Sequence, residues 1–439
     1  MTNTVADRTE VQRSTADELS TGTDYEELAA RFRPLFENIR ATAIAREEQR
    51  ALPYAEIRTL KEAGLGAVRV PKKYGGAGAS LPQLIELLVE LAEADSNIPQ
   101  SLRGHFAFVE DRLNAHATED QSEWFARFVS GDLVGNAWTE VGTVEIGSVN
   151  TKVTPGADGW LVNGEKYYST GSIFADWIDV FSQRSDTGGL VIAAVSTHQD
   201  AVGQKDDWDG FGQKTTGSGT STFRNAIVDP ENVFDFDTRF KYQTAFYQLV
   251  LLAVLAGSTR AAAREVAQHA KGRTRVYSNG AAPVWSDDPQ IQQVVGEATS
   301  QGFAATAIAV RSAEASQAAY LARYEFDEEK ELDANIRAEL DSAQGQVVLV
   351  NIALEATSKV LNALGASGVS EGKQLDRFWR NARTAASHNP VVFKARIVGD
   401  WAINGTPPPY VWWIGASKST SSGAAAAEAA PAVTEPATD

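Results

Sequence analysis

From Tyr25 onward apolar residues recur every third or fourth position, first as Leu28, Phe32, Leu35 and Ile39, then as Leu81, Leu84, Leu87, Leu88 and Leu91. That spacing gathers them on one helical face, and it is broken only by Gly64, Gly66 and the Pro71–Gly78 stretch. The pattern predicts a helical N-terminal domain over 25–132. At Leu133 the period changes. Short alternating or β-branched runs follow (TKVTP, GWLVNG, DWIDVFSQ, GLVIAAVS, TSTFRNAIV), separated by Gly, Asp and Asn turns. They predict a small antiparallel sandwich or barrel over 133–236. From 237 to 415 long Ala- and Leu-rich segments return, apolar on more than one face. This suits a bundle that packs internally and against a partner subunit. The stretches 1–24 and 416–439 are dominated by Ser, Thr, Ala, Glu and Pro and are expected to be disordered tails. The fold class is α+β, mainly α.

Composition narrows the chemistry. The 439 residues include no cysteine, which removes disulfides, thiolate metal sites and a cysteine nucleophile together. A formal charge of −17 works against nucleic acid as a partner, because it opposes contact with a polyanion. No basic-then-apolar leader opens the chain. The most apolar stretch, Ala245–Gly257, is interrupted by Tyr247 and Gln248 and is short for a bilayer, so the expectation is a soluble, cytoplasmic protein without membrane contact. The five histidines, His105, His116, His198, His269 and His388, form no pair three or four residues apart, and no metal site is expected. The glycine clusters at 75–78 and 217–219 lack the spacing of a dinucleotide or phosphate loop.

The remaining motifs fall in one order. They are Val70-Pro-Lys-Lys-Tyr-Gly-Gly76; Ala137-Trp-Thr-Glu140 with Gly147-Ser148; Trp160-Leu-Val-Asn-Gly-Glu-Lys166 with Tyr168-Ser-Thr170 and Ala175-Asp176; Gly210-Phe-Gly-Gln213 running on to Val228; and Gly365-Ala-Ser-Gly368 with Arg377 and Arg380. Together they resemble the acyl-CoA dehydrogenase superfamily over nearly everything from Tyr25 to Gly415, although Val141 stands where that family has proline. The resemblance implies a helical domain, a β domain and a C-terminal four-helix bundle that enclose a flavin. It places Trp138, Thr139, Ser169 and Thr170 against the flavin.

One departure changes the expected reaction. Where many members carry the glutamate that removes a substrate α proton, this chain reads Arg380-Asn-Ala-Arg-Thr-Ala-Ala-Ser-His-Asn-Pro390, with His388 in place of the acid. Desaturation needs a base positioned for a carbon-bound proton as hydride leaves for the flavin. The run Leu375–Thr384 with Ser387-His-Asn-Pro390 is similar instead to the flavin-dependent sulfur monooxygenases of the same fold, the dibenzothiophene monooxygenase group. Gly104-His105, Gly135-Asn-Ala137, Asp206-Asp-Trp208, Lys394 and Asn404-Gly405 add to the likeness, while Arg103, Phe106 and Ile173-Phe174 depart from it.

That likeness implies a two-component monooxygenase: reduced FMN (FAD is an alternative) comes from a separate flavin reductase and forms a C4a-hydroperoxide with oxygen, and a small organosulfur or heteroaromatic compound is oxygenated. It implies His388 as donor or stabiliser at the peroxide, since imidazole's ordinary pKa of about 6.5 suits donation near neutrality. His105, Asn136 and Thr170 would supply further hydrogen bonds, Trp208 would cover flavin or substrate, and Arg275 would hold the cofactor phosphate. A homotetramer is implied in the same way. Two alternatives stay open: an acyl-CoA dehydrogenase using Glu371 or another acid as base, and a catalytically silent relative acting as a binding protein.

Overall fold

The computed structural model describes residues 18–412, apart from 20, 143–145, 147 and 158. Residues 1–17 and 413–439, which hold most of both expected tails, and Gly147 of the expected Gly147-Ser148 motif lie outside the described residues. The stretch 18–24 departs from the tail expectation. Leu19 is fully buried, and its carbonyl accepts the Gln317 side-chain amide at 3.2 Å. Burying that side chain contributes about 2 kcal/mol, and the Thr23 backbone exchanges two hydrogen bonds with the Gln83 side chain.

The N-terminal unit consists of helices α1 (Tyr25–Gln49), α2 (Tyr54–Glu62), α3 (Leu81–Ala94), α4 (Asn97–Ser101), α5 (Arg103–Ala115) and α6 (Ser122–Ser130). Helix α1 starts at Asp24, whose carboxylate accepts the Glu27 N–H, and α3 starts in a reciprocal Ser80–Gln83 capping box. The periodic leucines of α3 are all buried, as the spacing predicts. Helix α5 lies deepest, with every residue from Arg103 to Asn114 buried.

Strands β1 (Val134–Ala137), β2 (Lys152–Thr154), β3 (Trp160–Lys166), β4 (Trp177–Arg184), β5 (Leu190–Ser196), β6 (Val202–Gln204), β7 (Ser221–Val228) and β8 (Val233–Asp235) form one sheet, in the order β6-β7-β3-β2-β4-β5-β8 with β1 also on β4. The sheet curls into a half-barrel, bringing β5 near β7 without pairing the two. Its hollow is filled by Val153, Val162, Ile178, Val180, Val191 and Phe223. The expected antiparallel pairing holds for most of the sheet, but β1 and β2 both run parallel to β4. Alternation cannot reveal this, because it reports which face is buried and not strand direction.

Helices α7 (Gln243–Lys271), α8 (Pro289–Arg323) and α9 (Glu328–Lys359) pack on one another, and α10 (Arg377–Ser387) and α11 (Val391–Asn404) close the bundle. Helix α7 has the length and apolarity to cross a membrane, contrary to the estimate made from its interrupted centre, and 89% of its most apolar window is buried inside the fold. It is the core helix that both helical units share. Gly257 on α7 meets Ala92 on α3 so closely that a Cβ would overlap the alanine methyl, so a small residue there lets the two backbones approach.

Candidate active site

Three separate parts of the chain converge at the start of α5. Gly104 lies against Asn136 of β1, where an added Cβ would stand 2.7 Å from the Asn136 Oδ1. Gly171 lies against Ser101 with φ +78°, and a methyl there would overlap the Ser101 carbonyl oxygen. The loop before β7 wedges in from the other side. Its Gln213 N–H donates to the Asn381 Oδ1 of α10 at 2.6 Å, and its Thr215 N–H donates to the Asn97 Oδ1 of α4 at 3.4 Å. Tyr168 and Gln213 both take left-handed backbone conformations, φ 58° and 52°. Non-glycine residues do so rarely, and mostly where surroundings compel it.

On the sheet side, the Thr170 hydroxyl is 2.8 Å from the Ser218 hydroxyl, which is 2.7 Å from that of Thr216. Ser169 beside it is buried, and its Oγ has no partner. Thr139 is half-buried and bridges backbone to Tyr167. Trp138 donates its indole N–H to Asp179 at 2.8 Å and packs edge-on against Tyr247 of α7. Glu140 of the same motif is structural: it accepts the Lys166 ammonium at 2.7 Å and the Thr151 N–H at 2.9 Å.

On the helical side stands His388, immediately after α10. Its Nε2 is 2.9 Å from an Arg103 Nη, and its Nδ1 is 3.3 Å from the Asn389 Oδ1. The Asn389 amide in turn donates to the Gln248 Oε1 at 3.0 Å. A guanidinium can only donate, so Nε2 accepts, the ring proton sits on Nδ1, and the chain runs Arg103 to His388 to Asn389 to Gln248. Desolvation and then the Arg103 charge hold the imidazole well below its ordinary range, against a smaller opposing effect of Asn389. The residue is nonetheless exposed to solvent. Water there softens the first effect, but the adjacent cation alone favours a neutral ring at pH 7. Where the expectation was an imidazole that donates near pH 6.5, the surroundings of His388 favour its neutral form.

His105 is engaged by the backbone. Its Nε2 donates to the Gly66 carbonyl at 2.9 Å and its Nδ1 accepts the Val134 N–H at 3.2 Å, so both nitrogens serve the backbone. The ring is buried beside Phe106 and Phe128, and burial lowers its pKa to about 4. It ties β1 to the turn before α3 and has no nitrogen left for a substrate. Asn136, by contrast, is buried with its Oδ1 unpartnered.

Trp208 is half-buried near the exposed Tyr168, with its indole N–H on the Gly212 carbonyl at 3.2 Å. Arg275 is exposed and lies apart, in a cleft of about 640 Å³ with His269, Arg273, Ser367 and Lys373. Glu371 is exposed in the turn before α10. A separate polar cleft of about 660 Å³, lined by Arg112, Trp124, Asn232, Arg239 and Tyr242 among others, includes neither His388 nor Arg103.

The sequence reading gave no role to Arg103, Tyr247, Asn389 or Gln248. Arg103 is 4% exposed and stacks over the Tyr247 ring at 4.9 Å. Among the described residues no carboxylate contacts Arg103 or His388. The available signal was an arginine with no acid three or four positions to either side.

Two family profiles match the chain: acyl-CoA dehydrogenase, N-terminal domain, over residues 23–132, and acyl-CoA dehydrogenase, C-terminal domain, over 249–393. The chain belongs to the acyl-CoA dehydrogenase superfamily. Within that superfamily it is 29% identical to the dibenzothiophene monooxygenase of Rhodococcus erythropolis over 397 residues, covering 86% of this chain and 93% of the relative. It is 25% identical to the probable FMNH2-dependent monooxygenase SfnC of Pseudomonas putida, over 84% of this chain and 92% of that one. Among solved structures, FMN-bound TdsC from Paenibacillus sp. A11-2 superposes with a TM-score of 0.77 at 26% identity, over 87% of this chain and 98% of that chain.

Proposed function

We propose that this member of the superfamily is the oxygenase of a two-component, flavin-dependent monooxygenase that uses reduced FMN and dioxygen to oxygenate a small organosulfur or related heteroaromatic compound. The observation that carries this reading is the pairing of a neutral imidazole with a guanidinium at His388, with no carboxylate beside them to take a carbon-bound proton. Several relatives are named as monooxygenases, one of them FMNH2-dependent. A flavin reductase that delivers reduced FMN by diffusion is the partner this implies.

The residues present fit a flavin. Ser169 Oγ and Asn136 Oδ1 are buried polar atoms without partners. Leaving such atoms unpaired is costly, about 1–3 kcal/mol each, and a ring edge rich in donors and acceptors would satisfy them. Trp138, Thr139, Ser169 and Thr170 would hold the ring. Reduced FMN supplies the two electrons by which one oxygen atom enters the substrate and the other leaves as water. Around it, Arg103 fixes the His388 tautomer, Asn389 orients the ring, and Trp208 with Tyr168 borders the opening. Arg275 lies apart from these residues, and its assignment to the cofactor phosphate rests on the family resemblance alone. Assembly to a tetramer is supported by apolar side chains left open on the bundle, among them Phe303 and Ile403.

The test supplies reduced FMN and ¹⁸O₂ with a panel of thiophenes, sulfides, sulfones and indoles. Label in the product is expected, and His388→Ala should lower product formation by about a hundred-fold while the fold survives. Reduction of the bound flavin by an acyl-CoA, with electrons passing to an artificial acceptor, would overturn the reading.

A further inference from the structure

We propose that Arg103 is the recognition point for an oxyanion on the substrate, so that the compound oxygenated is a small organic anion carrying a sulfinate, sulfonate or carboxylate group. This deepens the function proposed above and rests on it.

Arg103 is 4% exposed, yet among the described residues it has no acidic partner. Its contacts are one hydrogen bond to the His388 Nε2 at 2.9 Å and the π face of Tyr247 at 4.9 Å, and its Nε has no partner at all. Burial pushes the Tyr247 phenol up to about 12, so that side chain offers a neutral face and no counter-charge. Burial also lowers the guanidinium, to about 10, and it remains cationic at neutral pH. A buried cation left without an anion is expensive in any fold, and orienting one imidazole does not require a permanent charge. Elsewhere in the same interior the rule is kept: Arg69 pairs with Glu110 at 2.9 Å and Arg46 with Asp95 at 2.9 Å.

The counter-anion is assigned to the substrate for a reason of place. The groups expected against the flavin, Trp138, Thr139, Ser169 and Thr170, belong to the sheet unit or its loops. Arg103, Tyr247 and His388 belong to helices, or follow one directly, on the other side of the site. A planar guanidinium with free N–H groups matches two oxygens of a sulfinate, sulfonate or carboxylate. The orphaned Asn136 Oδ1 beside Gly104 can accept from a donor on the same ligand or on the flavin.

Calorimetric titration of the full-length protein loaded with oxidised FMN tests this with matched pairs, benzenesulfinate against methyl phenyl sulfone and benzoate against benzamide. At least one anion should bind about ten-fold tighter than its neutral partner, and which one does so separates sulfur oxyanions from carboxylates. Arg103→Gln should erase that preference, with Arg103→Lys keeping part of it, while FMN affinity changes less than about two-fold. Equal or tighter binding of both neutral compounds by the parent protein would overturn the proposal even if neither variant folds. So would an Arg103→Gln protein that keeps the anion preference, or one that loses FMN to the same degree as the anion, since the guanidinium would then serve the cofactor. Failure of the monooxygenase reading shows separately, as absence of ¹⁸O in product from the parent protein.

Discussion

His105 and His388 show how far one residue type can be read from its neighbours in sequence. Both stood in matched motifs, and only geometry separates them: one gives both nitrogens to backbone groups, the other faces a guanidinium. Arg103 was legible only as an acid-free arginine, because the partner it lacks is a tertiary fact. His105→Ala would orphan the Gly66 carbonyl and the Val134 N–H, and should destabilise the protein by about 3 kcal/mol in chemical denaturation at pH 7.5. Folded variant should bind FMN as the parent does. The pH dependence follows from the same contacts. The folded pKa of about 4 lies below the ordinary 6.5, so this group's contribution is fully present above pH 6.5. It is lost as pH falls toward 4, by roughly 3 kcal/mol in all. The variant should therefore show a shallower loss of stability over that window. An unchanged slope with weakened FMN binding would return His105 to the site.

At the level of elements, helices were the most readable, since the leucines of α3 and the Ala-rich runs of α7 to α9 carry their period openly. Strand positions followed from alternation, but the parallel placing of β1 and β2 on β4 depends on partners far apart in sequence. The docking of the sheet on α4 and α5 turns on Gly171, whose positive φ and contact with Ser101 exclude a side chain. Gly171→Ala should cost about 2–4 kcal/mol and weaken FMN binding, since it displaces Thr170. Differential scanning calorimetry with and without FMN measures both effects. An unchanged melting temperature would mean that the sheet docks on the helices by some other contact.

Across the whole molecule, the order helices, sheet, bundle was legible because the hydrophobic period changes at each boundary between units. The bundle leaves Phe303 79% and Ile403 82% exposed, and it is on this surface that the proposed assembly would bury apolar side chains. If the proposed tetramer forms, the parent protein should sediment as one and Phe303→Glu should shift the profile to smaller species. A parent protein that sediments as a monomer would remove the assembly from this account.

The central claim is that an imidazole and a guanidinium, and no carboxylate, face the reactive part of the flavin. A crystal structure of the FMN complex tests it most directly. The account predicts the isoalloxazine ring against Trp138, Ser169 and Thr170, with His388 and Arg103 bordering its reactive edge. An aspartate or glutamate facing the flavin N5, with the His388 ring turned out into solvent, would contradict it.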